Sequence, residues 1–136
     1  QHREGDLDRL AWMLTVGSAA AAALMKSDPA QGEMLARRIL SFSDEHIRWG
    51  YYDSYSLSDA LRVLPQNLVA AARCLPMPDR EMAIAHLADQ VTSASALRTV
   101  VDGSMQCVSK ALYSQLRLAY RRRRRFEADL GPRGTG

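Results

Sequence analysis

Apolar residues in this 136-residue chain recur at steps of three and four, and nowhere in a convincing alternation of two. The first spacing puts side chains on one face of an α-helix, whereas the second would mark a strand. Leu7, Leu10, Leu14, Gly17, Ala21 and Leu24 form the first such stripe. It begins with large residues and turns to small ones, so its alanine end is expected to lie against another backbone. Asp6 is expected to cap this helix, which should stop near Lys26, before Ser27-Asp28-Pro29.

Asp28-Pro29 is itself a start signal: a capping carboxylate, then proline where its missing N–H costs nothing. Gly32 is an early weak point, after which Leu35, Ile39, Phe42, His46 and Trp49 make a second stripe. Gly50 is placed to end that helix in a left-handed conformation, with a loop over Tyr51–Tyr55. Ser56 and Asp59 resemble a capping box ahead of Leu57, Leu61, Leu64, Leu68, Ala72 and Leu75. Pro65 interrupts this third run and is expected to kink or divide it. A fourth helix is expected from about Asp79 to Val101, with a weak point at Thr92, Ser93 and Ser95. Asp102-Gly103 should end it, and Ser104 should cap a fifth whose inward face is Met105, Val108, Leu112, Leu116 and Ala119.

The fold class is therefore all-α. The expected form is a single-domain antiparallel bundle of five helices, or six if Pro65 separates two, with a basic C-terminal helix end. Residues 1–5 read as a flexible stub, 6–130 as the bundle including a basic arm at 117–126, and 131–136 as a disordered tail.

The longest uncharged stretch, Leu10 to Met25, is shorter than the ~20 apolar residues a membrane span needs. Asp6 and Asp8 precede it, where a signal peptide carries lysine or arginine. A buried helix is expected there, not a membrane segment. Cys74 and Cys107 lie among apolar neighbours and read as buried free thiols. That favours an intracellular setting (cytoplasm, nucleus or virion interior) over secretion.

Charge carries the functional signal. Arg121 to Arg125 are consecutive, with Arg117 just before them and Tyr120 and Phe126 at the two ends. The formal net charge of +3 becomes −2 when those five are removed, so the basicity is concentrated at one place. Such a block is a footprint for a polyanion or an acidic partner. Arginine bonds phosphate through a planar fork, and aromatic neighbours add base stacking. Five successive helical residues point around the whole circumference, at about 100° each. The helix is therefore expected to project beyond the bundle there, or the chain to be leaving the bundle. Arg123–Glu127 and Arg125–Asp129 are expected as four-residue ion pairs, and the arginines are expected to complement the dipole at the helix end.

Trp49, Tyr51, Tyr52 and Tyr55 gather four of the nine aromatics (Phe 2, Trp 2, Tyr 5) in one corner. They read as a plug for the bundle end or as a protein interface. No zinc-type spacing joins the histidines and cysteines, and no phosphate loop, nucleophile elbow or His-Glu-x-x-His is present. The expectation is a non-enzymatic protein without metal or cofactor. It would contact nucleic-acid phosphates with Arg117, Arg121, Arg122, Arg123, Arg124 and Arg125, with Tyr120 and Phe126 stacking on bases, and would self-associate or join an assembly. The competing expectation is an adaptor or chaperone-like module whose arginines pair with an acidic protein.

Overall fold

A computed structural model describes residues 4–49 and 59–130. They form six helices and no strand: α1 (Glu4–Ser27), α2 (Pro29–His46), α3 (Asp59–Ala72), α4 (Asp79–Gln90), α5 (Ala94–Ser104) and α6 (Lys110–Asp129). The chain is all-α. The central element is α3, which touches α1, α2, α4 and α5, while α6 lies on α5 and α4. Leu14, Leu64, Leu68, Val69, Ile84, Val91 and Val100 are fully buried between these layers.

Asp28 and Pro29 open α2 as their chemistry dictates: the Asp28 carboxylate accepts the Gln31 N–H, and proline occupies the first helical turn. The small residues of α1 and α2 set how closely the two helices approach. A Cβ on Gly32 would stand 2.9 Å from the Ala21 carbonyl oxygen and 2.7 Å from Met25 Sδ. A Cβ on Gly17 would collide with the tip of Ile39. The alanine end of α1 thus meets a neighbouring backbone, as its grading from large to small residues required.

Several boundaries differ from the sequence reading. The first helix starts at Glu4, so Asp6 is helical and not its cap, and the expected stub loses residues 4 and 5. On α2 the buried positions are Gly32, Ala36, Ile39 and Ser43; of the expected stripe Ile39 is buried on the helix and Trp49 beyond its end, while Leu35, Phe42 and His46 are half-buried at the edge of the core. Close packing on α1 selects the small residues for the seam and leaves the large ones beside it. α2 ends at His46, where extended Ile47 donates its N–H to the Ser43 carbonyl, four residues before the stop expected at Gly50. Gly50, Tyr51, Tyr52, Tyr55, Ser56 and Leu57 lie outside the described residues, as do the tail 131–136 and residues 1–3.

Pro65 does not divide α3. The helix runs through it, with Pro65 itself buried and Leu61, Leu64, Leu68 and Val69 anchored on both sides. Interior proline costs about 3 kcal/mol, and burying each of those side chains returns about 1.5–3 kcal/mol. The sixth helix arises instead at the weak point Thr92-Ser93, where the expected fourth helix breaks into α4 and α5. Ser93 caps the second piece by accepting the Ala96 N–H. Gly103 and Ser104 still belong to α5, and Ser104 bonds the Val101 carbonyl in place of capping α6. α6 starts at Lys110, so Met105 lies outside it and is exposed, and Ala119 faces solvent.

Both thiols are free, Cys74 buried and Cys107 only half-buried. Burial pushes the Cys74 thiol up from its ordinary value, against a smaller opposite effect of Arg80.

Candidate functional site

The basic block lies in the fourth and fifth turns of a docked helix. Ser109 begins α6, its hydroxyl accepting the Leu112 N–H at 3.1 Å. Its own N–H is accepted by Glu81 of α4 at 2.5 Å. The Ser109 backbone and side-chain hydrogen bonds hold the Glu81 carboxyl below the usual glutamate range. From this anchored start, Leu112, Tyr113, Leu116, Tyr120, Arg123 and Glu127 recur at helical spacing along the side that meets the body. Leu116 is the buried member, and the others are half-buried.

The far end of that stripe holds the break between α4 and α5. Breaking a helix orphans carbonyls on one side and N–H groups on the other. Arg123 donates to the Thr92 carbonyl oxygen, and Glu127 accepts the Ala94 N–H at 2.8 Å. Two residues one helical turn apart on α6 thus satisfy both sides of the interruption. Thr92 also donates its hydroxyl to the Trp49 carbonyl at 3.3 Å, which ties the segment just after α2 to the same point. α6 is held at its start by α4 and near its end by the α4–α5 junction.

This arrangement answers the circumference problem differently from a projecting helix. The helix stays docked, and the one arginine that must face inward finds a carbonyl. Neither expected intrahelical ion pair forms: Arg123 and Glu127 reach across to the body, and Arg125–Asp129 is absent among the ion pairs of the described residues. Nor do the arginines sit at the dipole's negative end, because α6 continues to Asp129 and its last turn has no basic residue.

The remaining arginines face solvent. Arg117, Arg121, Arg122, Arg124 and Arg125 are exposed, and none of them enters an ion pair among the described residues. On an ideal helix Arg117, Arg121, Arg124 and Arg125 fall within an arc of about 100° on one flank, which Lys110 extends towards the N-terminus. Arg122 lies on the other flank with Leu118 and Phe126, which are also exposed. The Arg117 guanidinium stands 6.0 Å from the Tyr113 ring centroid. Tyr120 is half-buried against the core, so of the two bracketing aromatics Phe126 is the exposed one.

The aromatic corner is divided. Trp49 is 7% exposed and belongs to the core cluster, so its ring fills the fold instead of presenting a surface. Tyr51, Tyr52 and Tyr55 lie outside the described residues. His46 packs its ring on Phe42, with centroids 4.1 Å apart, and exposed His86 bonds Asp44 at 3.0 Å. No group of three or more histidine, cysteine, aspartate or glutamate residues among the described residues is placed to hold a metal ion.

Sequence reasoning missed the contacts that dock α6: Glu81 with the Ser109 N–H, Arg123 with the Thr92 carbonyl, and Glu127 with the Ala94 N–H in place of the expected Arg123. Ser93 was legible as a helix breaker, but which distant side chain would reach its neighbours depends on packing. No protein-family model, curated protein or solved structure matches this chain.

Proposed function

We propose that this protein is a small nucleic-acid-binding accessory or packaging protein, an antiparallel helical bundle that self-associates and contacts phosphates without sequence preference. The observation that carries this reading is the flank of α6: four exposed arginines, Arg117, Arg121, Arg124 and Arg125, outside every ion pair of the described residues, on a helix held at both ends. Free guanidinium groups on a fixed helix are ready to bond phosphate bidentately, with little ordering cost beyond their own side chains. The four span about 12 Å along the helix axis, a length over which a nucleic-acid strand offers several phosphates. Phe126 and Arg122 on the opposite flank would add contacts only where a flexible single strand wraps the helix.

Salt dependence tests the reading. Each phosphate neutralised on duplex DNA contributes about 0.9 to the slope of log affinity against log salt. Changing Arg117, Arg121, Arg124 and Arg125 together to alanine is expected to flatten that slope by about 3–4, with the helical circular dichroism preserved. Binding to RNA and DNA that is absent in the wild type, or unchanged in the variant, would end the phosphate reading.

A further inference from the structure

The outward face of α1 is left unexplained by phosphate contact. Trp12, Met13, Val16, Ala19, Ala20 and Ala23 are all exposed, Val16 at 66%. On an ideal helix these six fall within an arc of about 120° centred on Val16, opposite the buried side of Leu7, Ala11, Leu14 and Ala21. They run about 17 Å along the axis, and the polar residues of that stretch, Thr15 and Ser18, fall outside the arc. The buried helix expected from the sequence is thus buried on one side only. The segment Gly5–Ser27 is long and apolar enough to cross a membrane by length and composition, with 22% of its most apolar stretch buried.

The face is graded, with Trp12 and Met13 towards the N-terminus and Ala19, Ala20 and Ala23 towards the C-terminus. A graded stripe is self-complementary when two copies run antiparallel. With a two-fold axis beside Val16, Trp12 lies level with Ala20 of the second copy, Met13 with its Ala19, and Arg9 with its Ala23. Each bulky side chain meets the space beside an alanine. Parallel pairing would stack bulk on bulk and leave the alanines apart. Charge agrees with the antiparallel register. Asp8 and Lys26 lie about 80° to the same side of Val16, at opposite ends of the stripe. Asp8 then falls within about 3 Å, measured along the axis, of Lys26 of the second copy, twice per dimer. Neither residue has an ion pair among the described residues.

We propose that α1 is the surface through which two copies of this chain associate, packed antiparallel about Val16. The proposal deepens the self-association of the preceding reading and rests on it, but it is independent of phosphate contact. A lipid surface fits less well. Alanine adds little to transfer into hydrocarbon, but it lets two helices approach to about 8 Å. One helix pair is a small interface, so dissociation constants of roughly micromolar are expected.

Analytical ultracentrifugation of the full chain over a concentration series tests this. The wild type is expected to pass from monomer to dimer. Val16→Arg sets two cations against each other at the axis and should raise the dissociation constant at least about 10-fold. Because Val16 is exposed in the single chain, the thermal midpoint should hold. Asp8→Lys and Lys26→Asp should each weaken association about 2–5-fold, and the double swap should restore it. Val16→Cys should form a covalent dimer on mild oxidation. Ala20→Cys should not, since its two copies lie about 12 Å apart along the axis. The wild type, with Cys74 and Cys107, supplies the oxidation background. A monomeric wild type would overturn both self-association and this surface. A dimer indifferent to Val16→Arg, equal cross-linking at both positions, or a double swap that fails to restore association would overturn the surface alone. Loss of anionic-vesicle binding in Val16→Arg at unchanged mass would assign the face to lipid, against the proposal.

Discussion

Arg123 and Arg124 are adjacent, chemically identical and oppositely placed, which makes them a sharp internal test. Arg123 donates to the Thr92 carbonyl at the α4–α5 break, whereas Arg124 is exposed and outside every ion pair of the described residues. A hydrogen bond from a charged donor contributes about 1.5–3 kcal/mol when buried. The Arg123 site is half-exposed, and solvent can satisfy part of the orphaned carbonyl, so Arg123→Ala should cost about 1 kcal/mol. For a domain of this length that is a fall of roughly 3–5 °C in thermal midpoint. Arg124→Ala breaks no internal bond and should change stability by less than about 0.5 kcal/mol. Binding should show the reverse. Losing one phosphate contact removes about 0.9 from the salt slope on duplex DNA and about 0.7 on single strands. Arg124→Ala should show that loss, and Arg123→Ala should keep most of the slope. Differential scanning fluorimetry reads the first quantity, and fluorescence anisotropy with a labelled oligonucleotide over a salt series reads the second. If the two variants behave alike in both assays, α6 is not docked through Arg123 and the division of the block into anchor and contact fails.

Two further predictions concern how the helices are held. Gly32→Ala should destabilise the chain by about 1–3 kcal/mol in urea unfolding, because the Ala21 carbonyl that blocks its Cβ is backbone and cannot swing aside. Gly17→Ala meets only the Ile39 side chain and gains helix propensity of about 1 kcal/mol, so it should be nearly neutral. Equal costs would argue against the close α1–α2 seam. The Glu81 carboxyl, held low by Ser109, should stabilise the fold above the ordinary glutamate range. That contribution should fade as pH falls through its lowered folded value. Glu81→Gln should therefore flatten the acid limb of thermal midpoint against pH below roughly pH 4.5. An acid limb identical to wild type would show that Glu81 does not hold the start of α6.

Residue chemistry acting over one or two turns was legible without coordinates. Asp28-Pro29 starts a helix because a carboxylate and a ring-fixed φ suit that position in almost any context. The Thr92-Ser93 weak point became a break for a similarly local reason, since a hydroxyl can cap the next segment. Pro65 does not divide its helix: its local cost is real, but the leucines on both sides are worth more once α1, α2, α4 and α5 surround them. That Gly32, Ala36 and Ser43 join Ile39 on the buried side of α2 was hidden because apolar patterning ranks side chains by hydrophobicity, while close helix packing selects them by size.

The sequence by itself determined that this chain is helical and that its positive charge is gathered in one short block. Both follow from spacing and composition, which act without reference to distant residues. Tertiary packing decided that Arg123 is an anchor and Arg124 is not, that Trp49 is core, and that among the described residues none covers the outward side of α1. Those outcomes turn on which orphaned backbone groups and which gaps lie within reach of a side chain. Reach in space is fixed only when α3 brings the other helices together.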